Sequence, residues 1–400
     1  MPWSARIKVE NRSGKAESIS RDRFPLPEFG RTPNEKSLVP VEARTYTRGM
    51  PPAFLPGLEL SRALYDEAVA PLIAADRNPV PHAAALLGPG SEVLGLDTER
   101  STDHGWGPRL LLFVDDPAGR ERVAELLADG LPERIRGWPT RFAPGEGHPG
   151  TWLLDAQAPD GRHRVEVLGT GDWFRAQLGF DPRAGVTTDD WLTTPTQRLA
   201  EVTGGAVFHD DDGGLTRARR RMTWYPDDVW RYVLACQWRR VSQEEPLPGQ
   251  CAEVGDHLGA RVVAARSVRD LMRLALLLSR HYPPYSKWLG SAFSRLPEAR
   301  ELEPLLSRGL DADTTALAEA SSLLAAWQNR TGLAAVLDPA PRPFHDRPWP
   351  VLDTDRFTRA LLGRIEDPDL VGRAPLGTVD QFVDNTDALT RPEVFRVLAP

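Results

Sequence analysis

Apolar and polar positions repeat with two different periods along this chain, and the change of period divides it. After Met50, residues Leu60, Leu64, Ala68 and Leu72 fall four apart, which predicts an amphipathic helix with Pro71 marking a break near its end. Residues 82–87 (HAAALL) then read as a short buried strand running into Gly88-Pro89-Gly90-Ser91. A polar stretch leads to a second strand at 109–114 (RLLLFV), stopped by Asp115-Asp116-Pro117, and a short helix closed by Gly130 follows. Beyond a Pro- and Gly-rich connection, strands are expected at 151–156 and 163–169, joined by a turn at Pro159-Asp160-Gly161. Asp172 is expected to cap a helix, and another runs from Thr188 or Asp189 to Gly204-Gly205. A last strand falls at 206–210.

From Leu215 onward the period is helical. One helix opens at Tyr225-Pro226-Asp227-Asp228, a long one covers 253–280, and others cover 298–308, 314–330 and about 354–365. No internal repeat is visible. The pattern predicts an α/β (α+β) domain with a mixed sheet over residues 50–214, followed by an all-helical domain over 215–400.

Charge changes this picture at the N-terminus. The chain has 49 Lys+Arg against 56 Asp+Glu, a formal charge of −7. Residues 1–49 hold ten of the basic and six of the acidic residues (net +4), which leaves 39 and 50 (net −11) for the remainder. That leader is rich in Ser, Arg and Pro and lacks either period, so it is expected to be disordered. Two readings stay open: a real basic arm, or an over-extended reading frame with Met50 as the biological start.

The acidic total argues against bulk nucleic-acid binding. No apolar run approaches the roughly 18–20 residues that a membrane span needs. Two cysteines, Cys236 and Cys251, make neither a disulfide framework nor a four-cysteine zinc site, and no secretory signal is visible. These features lead to the expectation of a cytoplasmic protein with reduced thiols.

The strongest chemical constellation is Gly90-Ser91, an eleven-residue spacer, Asp103-His104-Gly105, and Glu166 on a later strand. Glycine lets backbone amides approach a phosphate, serine adds a hydroxyl donor, and carboxylates on adjacent strands can hold a divalent metal. This order resembles the nucleotidyltransferase superfamily. The strings LLGPGSEVLGLDTERSTDHGWGPRLLLF and YPPYSKWLGSAF are similar to a bacterial family of unknown function within it, over about residues 51–296.

The resemblance implies a Mg²⁺-dependent transfer of a nucleoside monophosphate from an NTP to a small-molecule acceptor. Asp103 and Glu166 would be the catalytic metal ligands, and Gly90 and Ser91 the phosphate cradle. Arg109 and Lys287 would neutralise phosphate charge, and Tyr285 would contact base or substrate. Lys287 is one of only four lysines, the others being Lys8, Lys15 and Lys36, and a compact ammonium is not interchangeable with arginine at a phosphate. One position departs from the pattern: Gly105 stands where the second metal-binding aspartate belongs. That leaves a one-metal enzyme, a replacement ligand such as Asp97 or Asp115, or a catalytically impaired nucleotide- or metabolite-binding protein.

Other polar patterns read more plainly. Arg266, Arg269, Asp270 and Arg273 make one stripe on the long helix, expected to be a solvated face unless it lines the interdomain cleft. The histidines form no linear metal motif, and His209-Asp210-Asp211-Asp212 reads as a turn. The twelve tryptophans are expected in packing. No nucleophile elbow or Walker loop is present.

Overall fold

A computed structural model describes residues 52–103, 105–144, 152–154 and 161–398; at Asp103, Pro144 and 152–154 it describes the backbone only. The leader, residues 1–49, lies outside the described residues.

The central element is a six-stranded mixed sheet. Its strands are β1 (Ala83–Leu86), β2 (Arg109–Phe113), β3 (Arg141–Pro144), β4 (Trp152–Leu154), β5 (Arg162–Leu168) and β6 (Ala206–Asp210). In space they lie in the order β4-β3-β5-β2-β1-β6, so β6 is one edge. Only β2 and β5 are parallel, with Arg109 beside Arg164 and Leu111 beside Glu166. Their link includes the helix α2 (Pro117–Gly130), whose first turn is capped by the Asp116 carboxylate accepting from the Gly119 amide.

Strand alternation sorts the apolar residues onto two faces. Ala84, Leu110, Leu112 and Val165 pack against Leu60, Leu64 and Ile73 of the first helical segment and against Val123 and Leu127 of α2. The opposite face presents Ala83, Ala85, Leu111 and Phe113 to a larger core. That core runs continuously through Trp173 and Phe174 into Tyr232, Trp238, Leu271 and Leu277, residues of the helical part of the chain. Thus a mixed sheet and a helical region share one apolar interior.

Three local expectations change. The first helix, α1 (Gly57–Leu64), does not break at Pro71 but widens into a π-turn at Tyr65–Val69 before continuing through Ala70–Ala75. The wide turn lies directly ahead of Pro71, which has no N–H to donate into an α-helical ladder. Asp172 sits within the first turn of helix Thr170–Leu178, whose N-cap is Gly169; its carboxylate binds Arg120 and Arg175 instead. The single helix expected from 188 is two, Thr188–Thr193 and α3 (Thr196–Thr203), separated at Pro195. Thr187 and Asp190 form the capping box of the first of these.

Downstream come α4 (Asp227–Glu244), α5 (His257–Leu278), α6 (Ser286–Phe293) and a one-turn helix α7 (Val379–Phe382); α5, α6 and α7 supply residues to the wall facing the sheet end. No helix among the described residues is long and apolar enough to cross a membrane.

Candidate functional site

At the end of the sheet where β1 finishes and β2 begins, the chain turns at Pro89-Gly90-Ser91 and borders a cleft of about 700 Å³. The turn is fastened by backbone bonds from Leu96 N to Ser91 O (2.8 Å) and from Gly205 N to Val93 O (2.7 Å). Gly90 has φ +146°, and a Cβ there would stand 2.3 Å from Arg109 Nη2, so the position admits only glycine. Ser91 opens a turn rather than a regular helix.

Beneath this turn lies a buried ion pair. Arg109 Nε donates to Glu92 Oε1 (2.7 Å) and Nη2 donates to the Pro89 carbonyl (2.6 Å). The two side chains are 11% and 3% exposed. Arg109 therefore clamps the loop, and its charge is already balanced by Glu92. Its neighbour in register, Arg164, donates from Nη1 to the Gly105 carbonyl (2.8 Å) and lies over the Phe142 ring. Burial, and then the adjacent Arg109, hold the Arg164 guanidinium below its usual pKa range; Glu166 and Glu92 act in the other direction.

The facing wall is helical. Thr196 and Gln197, at the start of α3, fasten two other segments to it. The Thr196 amide donates to Asp380 Oδ2 (2.5 Å) and its hydroxyl to the Pro283 carbonyl (2.7 Å), while Gln197 Oε1 accepts from the Tyr285 amide (3.0 Å). Tyr285 and Lys287 are thereby presented at the cleft with Trp288. The Lys287 ammonium stands 4.8 Å from the Trp288 ring centroid. Burial raises the Tyr285 phenol pKa against a hydrogen bond with Trp288 that lowers it.

The stripe on α5 faces protein at Arg269, Asp270 and Arg273, whereas Arg266 is exposed. Asp270 is 1% exposed and pairs with Arg240 (3.0 Å). Arg269 and Arg273 line the cleft and bind Asp384 (2.9 Å) and Asp380 (3.3 Å), respectively. Arg266 pairs with Glu244 (3.3 Å).

The cleft thus gathers five of the seven sequence-predicted residues: Gly90, Ser91, Arg109, Tyr285 and Lys287. Glu166 is exposed on β5, on the same strand face as Arg164 but outside the cleft lining. Asp103 has its backbone in a short 3₁₀ turn, Glu99–Asp103, and its side chain lies outside the described residues. Gly105 has φ +67°, and no described atom lies within 4 Å of the point a Cβ would occupy, so an aspartate there would meet open space. Neither suggested substitute serves the cleft. Asp97 Oδ2 accepts from the Gly57 amide (2.7 Å) and Trp106 Nε1 (3.1 Å), anchoring α1. Asp115 accepts from the Thr170 amide (2.8 Å) and Arg183 (3.0 Å) at the far end of β2.

Sequence reasoning missed Glu92, Arg164, Gln197 and Glu201. The Glu201 carboxylate, which borders the cleft, is held by Arg198 Nη1 (2.7 Å) and Gln197 Nε2 (2.8 Å). Gln197 and Arg198, four and three positions before Glu201 on one helix, are the available signal. Of the cleft's cations, Arg100, Arg164 and Lys287 have no carboxylate within ion-pair distance among the described residues, whereas the acids Glu92, Glu201, Asp380 and Asp384 are all paired. The imbalance suits an anionic ligand. Cysteine chemistry has no place here: Cys236 is buried, with burial pushing its thiol to about 12.

Fold and site together define an α+β protein with a cation-lined cleft between a sheet end and a helical wall. Residues 191–289 match the model of a family described as a domain of unknown function, DUF4037. That stretch supplies the helical wall, from Gln197 to Lys287; Gly90, Asp103 and Glu166 lie outside it. No curated protein matches the chain. Among solved structures, a nucleotidyltransferase-like protein from Exiguobacterium sibiricum 255-15 is similar at 14% identity, covering 77% of this chain and 89% of its own, with a TM-score of 0.29. A TM-score that low relates the two chains too loosely to transfer a fold or a role.

Proposed function

We propose that the cleft binds a nucleoside triphosphate and that the protein is a nucleotidyltransferase acting on a small-molecule hydroxyl. The observation that carries this reading is the convergence on one cleft of the Gly90-Ser91 turn and the Tyr285-Lys287-Trp288 segment. Arg100, Arg164 and Lys287 line it as cations without a carboxylate partner among the described residues. A volume of about 700 Å³ suits a ligand of that size. In the reaction the acceptor oxygen bonds to the α-phosphorus, the bond to the β-phosphate oxygen breaks, and pyrophosphate leaves. The hydroxyl proton passes to a carboxylate or to solvent. Positioning and electrostatics govern such a transfer. Asp103 and Glu166 would be the carboxylates for Mg²⁺, which would neutralise phosphate charge; Glu166 stands outside the cleft lining and Gly105 provides no third carboxylate, so the donor set fits at most one ion.

That same glycine favours a second reading, in which the protein binds the nucleotide without transferring it. Pyrophosphate release from the four NTPs, with Mg²⁺ and pooled cell metabolites, separates the two. Release that disappears in Asp103→Ala supports transfer, and release that survives it refutes the site. Nucleotide binding by calorimetry without release supports the second reading, in which case Gly105→Asp is expected to raise Mg²⁺ affinity sharply. Binding that Lys287→Met leaves unchanged removes the helical wall from the site.

A further inference from the structure

The opposite end of the sheet carries a cluster unrelated to the cleft. His82 immediately precedes β1, and His209 lies on β6 with Asp211 just beyond it. Register explains why they meet. Ala84 is opposite His209, and the Asp211 amide donates to the His82 carbonyl (3.2 Å). Alternation then puts all three side chains on one face of the β1–β6 pair. One ligand atom from each residue lies within 4.8 Å of the others.

We propose that His82, His209 and Asp211 form a binding site for a borderline divalent transition ion such as Zn²⁺. Two observations support it. First, His82 Nδ1 lies 3.1 Å from the Val80 carbonyl, which can only accept, so Nδ1 carries the proton and Nε2 is left with its lone pair. A ring nitrogen bound to a backbone carbonyl is the arrangement that orients a metal-ligating histidine. Second, His209 Nε2 donates to Asp211 Oδ1 (2.9 Å), so the second imidazole and the carboxylate already stand side by side, and an ion would take the place of the shared proton. Two imidazoles and one carboxylate select zinc-like ions over Mg²⁺, which prefers oxygen alone.

The Tyr65 hydroxyl, from the π-turn of the first helix, donates to His82 Nε2 (3.1 Å) and would turn aside for an ion, and the fourth position would fall to water. A bound ion would tie edge strand β6 to β1, independently of any nucleotide chemistry.

The test uses the full chain freed of metal by chelator dialysis and titrated with Zn²⁺ against a chromophoric chelator. One tight equivalent is expected in the wild type, together with a higher Tm. His209→Ala should weaken that binding by at least about 100-fold, the upper range for losing even an outer partner of a metal site. It should also abolish the rise in Tm. His209 is about one-third exposed, so this variant is expected to fold; if it does not, Asp211→Asn provides the same reading. No bound equivalent in the folded wild type overturns the proposal, as does unchanged affinity in the variants or equal competition by Mg²⁺.

Discussion

Removing the carboxylate of Glu92 is the sharpest single perturbation of the cleft. Glu92 is 3% exposed and its partner Arg109 11%, so solvent screens the pair little. Without Glu92, Arg109 would lose its ion-pair partner and stand beside its register neighbour Arg164, a second partly buried guanidinium, with Glu166 left to offset Arg164. Stripping one partner from a buried pair costs about 3–5 kcal/mol, whereas replacing both by apolar groups of similar volume is often near neutral. Glu92→Gln and Arg109→Met are therefore each expected to destabilise by about 3 kcal/mol or more, and Glu92→Met/Arg109→Met by much less than their sum. With an m-value near the top of the usual range, about 3 kcal/mol/M in urea, each single variant should lower the midpoint by about 1 M. Equilibrium urea unfolding followed by far-UV circular dichroism reads all three. Single variants within about 0.5 kcal/mol of wild type, the range of ordinary surface changes, would refute the assignment of this pair as the loop's foundation. Strict additivity in the double variant would refute it too.

Two further outcomes follow from positions already described. Gly90→Ala, with φ +146° and a clash at 2.3 Å from Arg109, is expected to destabilise by about 2–3 kcal/mol in the same urea assay, whereas Gly105→Ala, at φ +67° with open space around it, should cost only about 1 kcal/mol. His163 has its pKa lowered by burial and then by Arg141. Its neutral form is favoured in the fold, so its contribution is present above about pH 6.5 and is lost as pH falls through the lowered folded value. His163→Asn should flatten the decline in stability between pH 7 and 5, and an unchanged slope would contradict the reading.

The central strands β1 and β2 are legible in the sequence because they are apolar runs bounded by punctuating residues, whereas β3 (RFAP) lies in the stretch expected as a connection. AAAL ends at Leu87-Gly88, RLLLF stops at Asp115-Asp116-Pro117, and both fall within a residue or two of expectation. The Gly90-Ser91 turn is legible for the same reason. Sequence and structure part where a distant segment supplies the partner. The α5 stripe reads as a solvated face until Asp380 and Asp384, more than a hundred residues on, come to meet Arg273 and Arg269. Arg109 reads as a phosphate ligand because nothing local shows that Glu92 folds back beneath it. The histidines lack a linear motif, yet His82 and His209 stand with ring centroids 4.6 Å apart through strand register alone. The local signal is the His209-x-Asp211 alternation, which puts two ligating groups on one face of a strand. Asp172 reads as a cap because carboxylates near helix starts serve as caps or as ion-pair partners, and only the positions of Arg120 and Arg175 decide which.

The continuous core behind the cleft has a mechanical consequence. A cleft between two bodies that meet through a thin seam can open like a clamshell, each body swinging as a unit. Here Phe113 and Trp173, on the sheet side, belong to the same packed interior as Tyr232 and Leu277, on the helical side. Swinging the walls apart would tear that interior and wet its aromatic rings, a penalty far beyond thermal energy. The cleft must instead admit its ligand as a keyhole does, by small displacements of the parts at its rim. Tyr285 and Lys287, exposed on a segment fastened at Pro283 and at the Tyr285 amide, carry the rim side chains best placed to move.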